Sequence, residues 1–341
     1  MGLKQISFFL TILVCNMAYG LDIAIWEEYK SYFVSEDGRV MDYYNGHTSH
    51  SEGQSYAMFL SVKYNDKATF DRLWQWTKDN LGKRGDGLFA WQFGERPNGE
   101  WGVIDYNNAT DGDVLIAYAL LKANDKWGVN NYKSEALKII KSIRENLAIE
   151  WQDLTFILPA YYGFTRGDGF IINPSYQIFP AYRHFAEVDE RTFWEKVYKD
   201  SLLLIAKTRF GSLQLSADWV ILNENGISIF YEKTPHFGYE AIRILLYLSF
   251  EEDFLFPDRF AKILDIYKRF GYMPLWIDVA NDSISLKPAP AGFYAIYARA
   301  AKRIGDKATS DKLFKEAREK LDANDYYSFS LYLMAISGDI S

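Results

Sequence analysis

Cysteine is nearly absent: the only one among 341 residues is Cys15, inside an N-terminal stretch that reads as a leader. With that stretch removed, no disulfide can brace the fold and no thiol is left to act as a nucleophile. No Pro-, Gly- or Ser-rich linker, low-complexity tract or long charge block interrupts residues 21–341, so one folded unit is expected there. A basic stripe is also missing. The formal net charge is −7 with a pI near 5.3, which repels phosphate backbones and leaves nucleic acid an unexpected partner. Residues 6–14 (ISFFLTILV) are apolar but fall well short of the ~20 residues that span a bilayer.

Those nine residues come after Lys4 and precede Ala18-Tyr19-Gly20, the order of a secretory signal peptide. Residues 1–20 are expected to be removed after Gly20, and export without disulfides fits a bacterial periplasm. Val14 is too bulky for a lipoprotein site at Cys15. Aromatic residues, by contrast, are abundant: 17% of the chain, with 10 Trp, 25 Tyr and 24 Phe. Most of these rings serve to fill a large core, which the 49% hydrophobic content supports. Flat rings with a polar edge also line sugar-binding clefts.

Two kinds of helical pattern alternate. Phe70, Leu73, Trp74 and Leu81 form a single apolar stripe, as do Tyr132, Ala136, Ile140, Ile143 and Leu147. Similar stripes run through Trp194, Val197 and Ile205, through Phe260, Ile263 and Leu264, and through Leu313, Ala317 and Leu321, after a first at residues 23–33. Residues 114–121, 241–248, 293–301 and 329–336 are instead apolar nearly all round, the mark of buried helices. Two less uniform members begin near Glu52 and Tyr176. About twelve helices in pairs, at roughly fifty residues per pair, predict an all-α fold, an (α/α)6 barrel. Polar, Gly- and Pro-containing sequence precedes the buried helices, so functional residues are expected at that end. Residues 212–219 and 227–232 are expected to form short β-hairpins there.

Two clusters carry chemistry. In His47-Thr48-Ser49-His50-Ser51-Glu52, Ser51 has the character of an N-cap and Glu52 falls in the first helical turn. The helix dipole alone favours a glutamate there. Among apolar rings its pKa would rise, and it could donate a proton near neutrality. His47 and His50 are spaced as a metal pair, but no third His or thiolate lies near, so no metal is expected. Asp111-Gly112-Asp113 opens the helix that ends at Trp127. It lacks the further oxygen ligands and closing Glu of a calcium loop. Capping explains one of the two carboxylates, not both.

These stretches resemble glycoside hydrolase family 8, above all its cellulase branch encoded with bacterial cellulose synthase. Residues 109–127 (ATDGDVLIAYALLKANDKW) match the family signature along their whole length. Asp37-Gly38-Arg39-Val40, residues 51–58, residues 76–81, Ala90-Trp91, Asn173-Pro174-Ser175-Tyr176, Asp218-Trp219 and residues 239–243 (YEAIR) come in family order. The resemblance implies the barrel fold and an inverting glycosidase needing no cofactor. In such an enzyme an acid and a base stand roughly 6.5–9.5 Å apart with a water between base and sugar. It assigns Glu52 as general acid, Asp111 as the residue that holds the distorted sugar, and Glu240 as general base where relatives carry an aspartate. Arg243 would steady that carboxylate or the substrate, and Trp91, Trp101 and Tyr176 would stack sugars. Asp218 matches without an assigned role. The implied substrate is a β-1,4-linked polysaccharide, cellulose first, with functional association to a cellulose synthase. Chitosanase and xylanase activity remain open, as does a weakened glycan-binding protein.

Overall fold

The computed structural model describes residues 23–167 and 169–338, so the expected signal peptide lies outside the described residues. Among those residues, twelve α-helices succeed one another. The first six are α1 (residues 23–33), α2 (Ser51–Lys63), α3 (Lys67–Asn80), α4 (Thr110–Trp127), α5 (Asn130–Leu147) and α6 (Phe179–Val188). The rest are α7 (Arg191–Lys207), α8 (Ile242–Leu248), α9 (Pro257–Phe270), α10 (Ala291–Arg303), α11 (Lys307–Glu319) and α12 (Tyr326–Ser337).

The even-numbered helices form a closed ring: α2 packs on α4, α4 on α6, α6 on α8, α8 on α10, α10 on α12, and α12 back on α2. In α2, α4, α8 and α12 nearly every position is buried, which explains why their sequences show no polar face. The odd-numbered helices bury one stripe each. In α3 this is Phe70, Leu73, Trp74 and Trp76, and in α5 it is Tyr132, Ala136, Ile139, Ile140 and Ile143. Asp66 and Asp306 start two outer helices by accepting the Thr69 and Thr309 N–H groups at 3.1 Å. The helix α1 closes the wall through Tyr29 and Phe33, edge-on to Phe329 of α12. An (α/α)6 barrel results, as expected.

Inner helices pass to outer ones through short turns, whereas every strand among the described residues falls in a connection that leads into an inner helix. β1 (Ser49–His50), β2 (Gln92–Glu95) and β3 (Trp101–Asp105) form one antiparallel sheet beside α2. β4 (Ala148–Trp151) and β5 (Leu154–Ile157) form a hairpin after α5. β6 (Thr165–Arg166), β7 (Gly169–Ile172), β8 (Val220–Asn223) and β9 (Gly226–Ile229) make a four-stranded sheet. β10 (His236–Phe237) pairs with β11 (Ile277–Asp278).

Two local expectations need correction. Residues 212–219 are not a hairpin: an isolated Phe210–Leu215 bridge with Gln214 at φ 55° makes a turn, and the strand begins only at Val220. The second expected hairpin ends at Ile229, its residues 230–232 lying beyond the strand. The inner helix expected near Tyr176 is α6, which starts three residues further on. Asn173 accepts the Ser175 N–H and closes a 3₁₀ turn at Pro174–Tyr176, and α6 begins only at Phe179.

Candidate active site

The N-termini of α2 and α4 bring two carboxyls together. Ser51 is not the cap of α2. The β1–β2 pairing extends the strand to His50, so Ser51 is already helical, and its N–H donates to the Trp91 carbonyl at 2.9 Å. The Ser51 hydroxyl instead donates to Glu52 Oε2 at 3.1 Å. Gly112 allows α4 to approach: a Cβ there would lie 2.6 Å from Ser51 Oγ and 3.1 Å from the Glu52 nitrogen. This contact explains the glycine between Asp111 and Asp113. Asp113 turns away into a structural role, accepting the Phe89 N–H at 2.9 Å and Asn108 Nδ2 at 2.8 Å.

Arg243, on α8, is the hub. Its Nη1 donates to Asp111 Oδ2 and, at 2.9 Å, to the Tyr56 hydroxyl, while Nη2 donates to Glu240 Oε2. Asn173 Nδ2 donates to the same Glu240 oxygen at 3.0 Å. Asp111 Oδ1 accepts the Gly112 N–H at 3.0 Å, so both its oxygens are engaged. Burial works against the Arg243 charge, yet the surrounding phenols and carboxyls hold its pKa well above the ordinary arginine value. Burial pushes Glu52 up to about 7, opposed by its backbone hydrogen bond, by Arg243 and by Ser51. Burial also pushes Asp111 up to about 7, again against Arg243. Three carboxyls around one guanidinium cannot all ionise cheaply, so protons and charges are shared across the group.

A cleft of about 470 Å³ opens above Glu52, walled by His50, Trp91, Gln92, Tyr239, Tyr326 and Tyr327. A second cavity of about 190 Å³ shares Glu52, Tyr239, Tyr326 and Tyr327 and reaches Tyr176, Glu240 and Arg243. Of the expected stacking residues, Trp91 lies in the first wall, stacked on the His50 ring at 5.3 Å and 13°. Tyr176 lies in the second, with Arg243 over its ring at 5.3 Å. Trp101 lines neither; it sits at the far end of the β2–β3 hairpin under the Arg39 guanidinium, 4.3 Å away. The imidazoles of His47 and His50 have separate surroundings, the first edge-on to Tyr43. No group of three His, Cys, Asp or Glu among the described residues could hold a metal.

The family model for Glycosyl hydrolases family 8 matches residues 3–339. The chain belongs to this family. It is 37% identical to an endoglucanase of Cellulomonas uda over 80% of this chain and 75% of that one. With a probable endoglucanase of Novacetimonas hansenii it shares 32% identity over 91% and 88%. Its fold superposes with a TM-score of 0.82 on endoglucanase Cel10, a family 8 glycosyl hydrolase from Klebsiella pneumoniae, at 34% identity over 92% and 98%.

In this family 8 hydrolase a further cavity of about 670 Å³ lies at the other end of the barrel, where α6 passes into α7. Several charges in its lining are tied up in ion pairs, Arg191 with Glu195 inside the cavity and Asp189 with Arg144 beside it. The sequence motifs point to Glu52, Asp111, Glu240 and Arg243, contain Tyr56, Asn173 and Tyr239 without giving them a role, and miss Tyr326 and Tyr327. Tyr326-Tyr327 could have been found as the pair of rings that opens the buried run at 329–336, the same position Glu52 takes on α2.

Proposed function

We propose that this hydrolase is an endo-β-1,4-glucanase that cuts internal bonds of cellulose with inversion at the anomeric carbon. One observation carries the assignment of roles: Arg243 donates to Asp111 and Glu240 but not to Glu52. The guanidinium thus favours charge on the carboxyls it touches, and Glu52, which it does not touch and which burial raises to about 7, is the group suited to give the departing sugar oxygen a proton. Asp111, with both oxygens engaged, is suited to holding the sugar at the cleavage site and poorly suited to attacking it. Glu240 has Oε2 occupied twice and Oε1 without a hydrogen bond among the described residues, which leaves that oxygen to activate a water. Relatives named endoglucanases support the substrate class.

This reading extends to place. With its leader removed after Gly20, the enzyme would work in the periplasm on cellulose leaving a synthase, in functional association with that complex. No helix among the described residues is long and apolar enough to cross a membrane. The test of the chemistry is proton NMR during early hydrolysis of a cello-oligosaccharide. The α-anomer is expected first; initial β-product would mean retention and refute the scheme. Glu52→Gln is expected to lose about three orders of magnitude in rate, because an amide cannot deliver the proton.

A further inference from the structure

Asp218 takes no part in the proton transfers described above, yet it is buried against the residue that receives one of them. It lies just before β8, in the long connection between α7 and α8. A single oxygen, Oδ1, accepts two backbone N–H bonds, from Gly238 at 2.9 Å and Ala241 at 2.7 Å. These bonds bracket Glu240. The Asp218 N–H donates to the His236 carbonyl at 2.6 Å, a third tie to the same segment. Tyr327 adds a fourth by donating to the Tyr239 carbonyl.

Gly238 is shaped to this clamp. A Cβ at that position would stand 3.1 Å from Asp218 Oδ2 and 3.4 Å from Trp276 Cβ. The segment then turns sharply into α8, with Ile242 N–H on the Gly238 carbonyl and Arg243 N–H on the Glu240 carbonyl, both at 3.1 Å. N–H groups at the start of a helix have no partner within it, and Asp218 supplies one for Ala241. Without the carboxyl, two buried N–H groups would be orphaned at the root of Glu240.

We propose that Asp218 is a positioning residue for Glu240, holding the backbone on both sides of it so that its free oxygen meets the water. The proposal rests on the reading of Glu240 as general base. Glutamate has one more rotatable bond than the aspartate of relatives, so fixing its root matters more. Asn173 and Arg243 fix the tip, and Asp218 fixes the base of the arm. Burial pushes Asp218 up to about 7, and its Oδ1 can accept both N–H groups whether the acid is protonated or not. A neutral amide should therefore serve almost as well.

Four variants test this: Asp218→Asn, Asp218→Ala, Glu240→Ala and the double alanine, each assayed for kcat and KM on a cello-oligosaccharide. Asp218→Ala is expected to lose on the order of 10²-fold in kcat, the cost of misplacing a reacting group by about 1 Å, with KM within about threefold. Asp218→Asn is expected to stay within about fivefold of wild type, and the double variant to be no slower than Glu240→Ala alone. If Asp218→Asn is as inactive as Asp218→Ala, the acid acts chemically and the proposal is overturned. Losses that multiply in the double variant would overturn it too, because Asp218 would then work independently of Glu240. Should Glu240→Ala keep more than about a tenth of the rate, the base assignment falls and takes this proposal with it. If Asp218→Ala does not fold, Gly238→Ala crowds Oδ2 without deleting any polar group. It is expected to lower kcat at least about tenfold at near-constant KM, and an unchanged kcat would overturn the proposal.

Discussion

Glu52 and Asp111 are both buried carboxyls pushed up to about 7, but their neighbours differ. Asp111 receives a guanidinium and a backbone N–H; the only side-chain donor to Glu52 among the described residues is the Ser51 hydroxyl. A hydrogen bond donated to a carboxylate stabilises the charged form and lowers the pKa. Ser51→Ala should therefore raise the Glu52 pKa further. Because the acid must be protonated to act, wild-type kcat/KM is expected to fall as pH rises through about 7. In Ser51→Ala that alkaline limb should move upward by roughly half to one pH unit, the size expected for one charge-assisted bond shared with water. An alkaline limb that stays in place or moves down would mean that Glu52 is not the group titrating. Ser51 is an apt site for this test because its backbone N–H, which holds Trp91, is unaffected by losing the hydroxyl.

At the scale of elements, the site depends on how closely α4 meets α2. Gly112 faces Ser51 Oγ and the Glu52 backbone with no room for a methyl group. Gly112→Ala would drive the helix starts apart or displace Ser51, costing about 1–3 kcal/mol as overpacking does. Since the displaced atoms are those that place Glu52 and Asp111, kcat should fall more than the melting temperature alone would suggest. Melting and kinetics together check this, and a variant with wild-type kcat would show that the approach is not critical. Much at this level is legible in the sequence. Alternation of one-stripe and all-round apolar helices reveals a ring inside a ring, because burial on every side leaves no polar face. The family motifs place Glu52, Asp111, Glu240 and Arg243 at the helix starts. Less legible are features made by distant pairing. Phe210 and Leu215 close a turn where the local pattern suggests a hairpin, Ser51 loses its capping role to a strand it pairs with across forty residues, and Trp101 is taken by Arg39. Tyr326 and Tyr327 reach Glu52 only because α12 closes the ring against α2, which no local pattern records.

Closing that ring has a consequence for the whole molecule, because it buries acids that an unfolded chain would leave in water. Glu52, Asp111 and Asp218 are raised to about 7 and Asp113 to about 8, burial being the largest cause for each. An unfolded chain would titrate all four near 4. With folded values above unfolded ones, the folded state binds more protons between about 4 and 8. The stability these groups contribute is complete below 4 and is lost as pH rises through their folded pKa values. Each proton of difference gives a slope of about 1.4 kcal/mol per pH unit. The melting temperature is therefore expected to fall from pH 5 to pH 9. The fall is steepest below about 7, where all four groups still hold their extra protons, and gentler near 8, where only Asp113 remains to lose one. Asp113→Asn isolates that group. The amide oxygen can still accept the Phe89 N–H, but its NH₂ would confront Asn108 Nδ2, which now donates to Asp113 and whose Oδ1 is held by the Tyr161 N–H. At pH 5 the variant should thus be less stable than wild type by about one hydrogen bond, roughly 1 kcal/mol. It has no proton to lose, so its melting temperature should decline less steeply, and by pH 9 the two curves should meet or cross. Calorimetry at pH 5, 7 and 9 decides the matter. Parallel curves would show that Asp113 ionises in the folded protein as easily as in water, and that its burial carries no cost.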